Sequence, residues 1–433
     1  MTHQEIASYA LEGLKKAGAD KAACKLSRGR KDEFNVEANK FTLMRSLFED
    51  HLSLKVIKDG RKGVMIINNL EKDNIDEALK GCLALTESAQ SDEAEDIADL
   101  AENKSFDQTI GGPDMDGLFK QTKAFLEQLG DEYPKIMLEG MSSHFNTAKT
   151  IYLNSNGVEF EEDRELYQMS TSFVAKDGEK SSSFNFYGAN LNSLKKPFMD
   201  IGMHRTLIDE SVKSLDPRMV EGKFVGQVIV SPACDDMIWQ TLIDCFLSDR
   251  SLIEGISRWK DALETKVADS KLSMSFSPLH PDIIAGERFT PDGFESRNAP
   301  VIQEGVLKSF ALSLYGARKI GKPRADNMAF GNIEVAPGNT SLEEMIRGID
   351  RGILLNRFSG ASPGPSGDVS GVAKNSFLIE KGKITDALKE TMISFNILDI
   401  LQNISGISSE RCANGFSVVP WCCFEGITIS GGG

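Results

Sequence analysis

The sequence predicts an α+β protein: a first domain of helices and antiparallel hairpins, then a β-rich domain with a large, mostly antiparallel sheet or barrel-like core. Three observations carry this. Amphipathic stretches and Asp-Gly turns alternate irregularly in the first half, without the strand–helix repeat of a doubly wound sheet. Leu215-Asp216-Pro217 ends a helical stretch, and 23 of the 38 glycines follow residue 220, spaced through short apolar runs. A chain of 433 residues also exceeds one ordinary core. The expected domains are 1–215 and 216–433.

The elements come in order. Thr2 and Glu5 fit a capping box for a helix over 2–17, with Ile6, Tyr9, Ala10 and Leu14 at helical spacing. Leu52, Leu54 and Val56 alternate into Lys58-Asp59-Gly60-Arg61, which predicts a hairpin returning through Val64–Ile67. Helices are expected over 74–89 and 114–130. Between them, residues 91–102 hold six acids and no base, which reads as a solvated helix face or a mobile loop. Strands are expected at Ile136–Leu138, Thr150–Leu153 and Val158–Phe160, with turns at Asn154–Gly157 and Asp177-Gly178. One more helix is expected over 192–213. In the second half, strands are expected at Gly226–Val230, Ala299–Leu307 and Phe377–Ile384, with helices at about 233–248, 341–350 and 393–404.

Composition excludes several classes. With 49 basic and 64 acidic residues the formal charge is −15, which disfavours nucleic-acid binding, because phosphate neutralisation needs clustered lysine and arginine. No run approaches the ~20 apolar residues of a membrane helix. The start, Met-Thr-His-Gln-Glu-Ile, carries no signal-peptide pattern. Seven cysteines (24, 82, 234, 245, 412, 422, 423) form no CxxC pair and read as reduced thiols of a cytoplasmic protein.

Candidate chemistry is sparse. The five histidines, at 3, 51, 144, 204 and 280, form no HExxH or HxH, so a metal site would have to assemble from scattered residues. No phosphate-binding glycine loop is present. Gly360-Ala361-Ser362-Pro363-Gly364 matches G-x-S-x-G formally, but Pro363 lacks the backbone N–H that the elbow mechanism requires after its serine. Cys245 and Cys412 have no histidine near in sequence to activate them and read as structural thiols.

The second half carries more specific strings. Phe289-Thr290-Pro291-Asp292-Gly293 leads through Ala299–Leu307 to Leu314-Tyr315-Gly316-Ala317-Arg318-Lys319. Next come Glu334-Val335-Ala336-Pro337-Gly338-Asn339-Thr340-Ser341 and Ser366-Gly367-Asp368-Val369-Ser370-Gly371-Val372, and the chain closes with Glu425–Gly432. In combination, over about 225–432, these resemble the TldD/TldE (PmbA, "modulator of DNA gyrase") family.

The resemblance implies a zinc metallopeptidase assembly. TldD-like members carry HExxxH and a later cysteine ligand; TldE-like members lack the motif and pair with TldD to process flexible peptides. Aligned on Val228–Pro232, the HExxxH register falls on Gln240, Thr241 and Cys245. Gln240 and Cys245 replace the histidines and Thr241 replaces the glutamate, so the resemblance implies a silent TldE/PmbA-like chain, with zinc in the TldD-like partner and none here. Cys412 lies in the region of the family's third ligand but in no gapless register with it, and that role is not carried over. Ideal helix geometry turns positions 240 and 245 about 140° apart, so a zinc site would need a widened turn. Nothing in the sequence demands one; Ile238, Leu242 and Phe246 are expected to pack as an ordinary helix face. Two functions stay open: the non-catalytic subunit, with self-dimerisation when alone left open by the sequence, or a stand-alone binding protein that modulates gyrase or another partner without proteolysis.

Overall fold

The structure is a computed structural model that describes residues 1–361 and 363–431. Its first part is an eight-stranded sheet. β1 (Lys21–Glu37), β2 (Lys40–Lys58) and β3 (Arg61–Ile67) form a meander; β4 (Lys104–Gln108) is an edge; β5 (Ile136–Asn154) and β6 (Glu159–Asp177) form a long hairpin; β7 (Lys180–Ser181) and β8 (Asn185–Leu191) pair with β6. The order is β3-β2-β1-β5-β6-β4, antiparallel except for β4 against β6. Helices α1 (His3–Lys16), α2 (Lys72–Ser88), α3 (Met115–Glu132) and α4 (His204–Lys213) accompany this sheet. The Thr2–Glu5 capping box starts α1 with both reciprocal hydrogen bonds. Asp59 and Gly60 both take positive φ, as a two-residue hairpin turn requires.

Three expectations need correction here. The predicted helix over 192–213 is a short 3₁₀ turn, Phe198–Asp200, followed by α4. Pro197 cannot donate into a helical ladder, and Gly202 turns left-handed (φ +50°) where a Cβ would strike the Tyr187 hydroxyl. The predicted helix over 393–404 is only Ile397–Gln402; Thr391–Asn396 is a strand whose side chains alternate buried and open.

The third correction concerns the acidic run, which forms no solvated helix. Asp92 accepts from Lys319 (2.6 Å) and Tyr315 (3.0 Å), while Asp96 pairs with Lys21 of β1 and with Arg318. Lys55 of β2 donates to the Asp96 carbonyl (2.8 Å). The acids thus tie the first sheet to the helix Leu314–Ile320.

The second part is a fourteen-stranded sheet between Arg218 and Ser430, mostly antiparallel, with three parallel ladders. Its longest strand, Val418–Ser430, pairs with Lys223–Val230, Ile404–Ala413, Thr391–Asn396 and Ile333–Val335. The two parts share apolar packing. Phe289 is buried among Tyr152, Val158 and Phe160, and Cys412 and Trp421 pack on the cluster beneath α3 and α4. No helix among the described residues is long and apolar enough to cross a membrane.

The acidic tether is testable. Burial pushes the Asp96 carboxyl up, but Lys21, the Ile97 N–H and Arg318 outweigh burial and hold it below the usual range. A depressed folded-state value gives stability that is complete above the unfolded value of about 4 and is lost as pH falls through the folded one. Asp96→Asn is therefore expected to cost about 1–2 kcal/mol in urea unfolding at pH 7. The gap to the parent should narrow in acid.

Candidate functional site

The strand Lys223–Val230 ends at Ser231-Pro232, and a turn leads into α5 (Asp236–Leu242). Ile238, Leu242 and Phe246 are buried as expected, with Phe246 against Trp259 at 5.5 Å. Beyond α5 the helix does not keep the ordinary turn expected of it. Residues Ile243–Leu247 form a π turn: the Ser248 amide donates to the Ile243 carbonyl, five residues back (2.9 Å). The Asp244 carbonyl, which a regular α-turn would have engaged, accepts from the Ser248 hydroxyl instead (3.0 Å). Ser248 also caps the next helix, Asp249–Ile253, by accepting from Ser251 N–H. One serine closes the widened turn and opens a new helix.

The wider turn brings positions five apart to one side. Gln240, Thr241 and Cys245 line a single depression of about 340 Å³, together with Asp236 and Asp244. The opposite wall is Phe358 and Gly360 of the strand Arg357–Gly360, followed by Ala361 and Pro363. Arg357 anchors that wall: Nε donates to Asn185 Oδ1 and Nη1 to the Ala233 carbonyl, both at 2.8 Å, and its guanidinium lies 3.7 Å over the Phe186 ring. Ser362 lies outside the described residues.

Two polar side chains of the depression are engaged with each other and a third with the backbone. Gln240 Nε2 donates to Asp244 Oδ1 (2.9 Å), and Asp236 Oδ1 accepts from Met237 N–H (2.9 Å). Cys245 Sγ points at the carbonyls of Gly364 (3.5 Å) and Pro363 (3.8 Å). Burial, reinforced by the Asp244 charge, pushes its thiol up, so it stays protonated at neutral pH. Zinc takes imidazole, thiolate or carboxylate. At the three register positions a neutral thiol, an amide already bonded to a carboxylate and a buried hydroxyl do not make such a set, and Asp236 and Asp244 complete no group of three donors with Cys245 among the described residues.

The other candidates stand elsewhere. Cys412 packs against Tyr187 under Gly202, its thiol pushed up to about 11 by burial and the nearby Asp235. His204 is fully buried between Thr171 and the Phe198 carbonyl, and His144 bonds to Gln168. None of the five histidines lines the depression. Among the described residues no group of three or more His, Cys, Asp or Glu is arranged to hold a metal. Sequence reasoning missed Asp236, Asp244 and the wall at Phe358. The i, i+4 spacing of Gln240 and Asp244 was a legible signal for the first contact; the wall depends on tertiary packing.

Residues 222–431 match the model of the PmbA/TldA metallopeptidase C-terminal domain. The second half of the chain is thus a domain of the PmbA/TldD family. It is 25% identical to the metalloprotease PmbA homolog of Buchnera aphidicola over 276 residues, which are 63% of this chain and only 60% of that protein. The fold matches the crystal structure of TldE from Thermococcus kodakarensis at a TM-score of 0.86 and 20% identity, covering 98% of this chain and all of that one. It also matches a Bacteroides thetaiotaomicron protein proposed as a modulator of DNA gyrase, at a TM-score of 0.85 and 22% identity, covering 99% and 98%.

Ile243, Asp244 and Ser248 close the widened turn, and whether it orients positions 240 and 245 together can be tested by placing metal donors there. The triple variant Gln240→His, Thr241→Glu, Cys245→His is expected to take up zinc, read by metal analysis after desalting, where the parent takes up none. A folded triple variant that stays metal-free would show that the turn does not orient positions 240 and 245 together.

Proposed function

We propose that this chain is the non-catalytic, TldE-like subunit of a metallopeptidase heterodimer that degrades or trims flexible peptides. The observation that supports this best is the π turn that gathers Gln240, Thr241 and Cys245 in one depression, with no imidazole among them. Peptide hydrolysis at neutral pH needs an activated water and a general base. At the three matching positions this chain offers an amide, an alcohol and a protonated thiol. In this reading a TldD-like partner supplies the zinc and the base. This chain supplies a fixed wall that keeps folded proteins away from them, and paired homologous faces are a low-cost route to such an enclosure. The same reading places the protein in the cytoplasm, where its free thiols stay reduced.

A second reading, a stand-alone gyrase modulator without proteolysis, is favoured by the description of the Bacteroides structure. The formal charge of −15 disfavours direct DNA contact but leaves a protein partner open.

Cleavage of an unfolded peptide separates the two. The chain alone is expected to be inactive, and an equimolar mixture with a TldD-like protein to be active well beyond that protein alone. Activity from this chain by itself, surviving removal of contaminating proteases, would contradict the subunit reading. Full activity from the TldD-like protein without it would promote the modulator.

A further inference from the structure

A second pocket, of about 500 Å³, lies on the seam between the two sheets and shares no residue with the depression. Its floor is one face of the first sheet. Ser27 of β1 lies opposite Thr150 of β5, and Thr150 and Ala148 lie opposite Glu162 and Arg164 of β6. Such positions share a face, and the short side chains of Ser27, Ala148 and Thr150 leave room above it. The second part of the chain supplies the walls, from residues 285–291 and 328–332.

Three cations from different segments border this space: Lys25 of β1, Arg164 of β6 and Arg288. Lys25 is half-buried, with no carboxylate in ion-pair reach among the described residues. Its ammonium lies 5.9 Å from the centre of the Phe289 ring. Burial holds its pKa below the ordinary lysine value, against the opposing pull of Glu162 and Glu287. Arg288 makes no ion pair among the described residues, and its Nη1 donates to the Pro278 carbonyl (3.3 Å). Arg164 is fixed at its tip: Nη2 donates to Glu162 Oε1 (2.7 Å) and the Gly286 carbonyl (2.8 Å), and Nη1 to the Ala285 carbonyl (3.3 Å). Its Nε is buried without an acceptor. The two carboxylates of the pocket are engaged through Oε1. That of Glu162 also accepts from Gln108, and that of Glu287 accepts from the Ser296 hydroxyl (2.5 Å) and the Met328 N–H (2.9 Å). Three cations against two carboxylates leave one positive charge here, in a chain whose formal charge is −15.

We propose that this pocket binds the carboxylate of a small organic or peptidic acid, with Lys25 and Arg288 as its charge partners and the attached apolar body against Met328 and Phe330. The excess of one positive charge matches a carboxylate. A phosphate, which carries about −1.5 to −2 at neutral pH, would leave the pocket negative beside two glutamates. A guanidinium presents paired N–H donors that suit the two oxygens of a carboxylate, and an ammonium adds a point charge. The wall away from the charges is apolar: Phe330, half-buried, sits with its ring 5.2 Å from that of Phe276. The volume falls within the ~300–1,000 Å³ of small-ligand sites, which likewise combine an apolar lining with a few placed polar groups. The proposal does not depend on the peptidase reading, since it uses no residue of the depression.

The test is titration calorimetry of the intact chain at low ionic strength with four probes: acetyl-Ala-Ala-Phe with a free carboxylate, the same peptide as its amide, 3-phenylpropionate, and inorganic phosphate. At least one of the two acids is expected to bind about tenfold or more tighter than the amide and tighter than phosphate. If the peptide acid binds the tighter of the two, the source is a peptide C-terminus; if 3-phenylpropionate does, it is a free acid. Either result supports the site. Lys25→Met and Arg288→Gln should each weaken that binding about tenfold or more, the scale of one charged hydrogen bond, while Lys25→Arg retains most of it. Thermal unfolding checks that the variants fold, and should Lys25→Met unfold, Arg288→Gln decides. Equal affinity for acid and amide, or no binding of either acid, would overturn the proposal. So would phosphate binding tighter than both acids, or acid binding that ignores the folded variants.

Discussion

The character of the depression depends on one hydrogen bond, from the Ser248 amide to the Ile243 carbonyl. Slipping the ladder by one residue leaves the Asp244 carbonyl without its helical donor, and an orphaned carbonyl would ordinarily disfavour the slip. The Ser248 hydroxyl supplies the replacement donor. Burial of Phe246 and Leu247 on one side and exposure of Asp244 on the other hold the turn between core and solvent. The turn is thus stabilised by groups that belong to this chain, and it persists without imidazoles at 240 and 245. The shape of the depression is therefore separable from the identity of the side chains at 240, 241 and 245.

The depression also depends on how the two sheets are joined. Arg357 ties the wall strand to Asn185 of β8 and to the Ala233 carbonyl just before α5, so both sides of the depression are referred to the first sheet. At the far end, Asp92 and Asp96 bind Lys319 and Arg318, and Phe289 inserts among Tyr152 and Phe160. Charge at one junction and aromatic packing at the other restrain the same pair of sheets.

Much of the fold was legible because local chemistry agreed with the final structure. Thr2 with Glu5 and Asp59-Gly60 mark a cap and a turn that formed as their residues dictate. The hairpin β1 to β2 was not legible over residues 21–51. Its turn uses Ala38 and Asn39, both at positive φ, in place of a glycine pair, and residues 40–51 have no buried face to impose a clean alternation. The acidic run misled for a related reason: its partners are distant in sequence, Lys21 by 75 residues and Tyr315, Arg318 and Lys319 by more than 200. At the depression, the residues gave Gln240, Thr241 and Cys245 no common role, and the resemblance alone grouped them. The π turn escaped because the segment's apolar spacing fits a regular helix too, and only the hydroxyl of Ser248 distinguished the two.

The proposed silent subunit holds no zinc of its own at Gln240, Thr241 and Cys245. Zinc content of the purified intact chain, measured after mild chelation and exchange into metal-free buffer, tests it most directly. The account predicts well under one zinc per chain, unchanged by Cys245→Ser. One tightly held zinc per chain, lost in Cys245→Ser or Gln240→Ala, would contradict it and assign metal chemistry to this subunit.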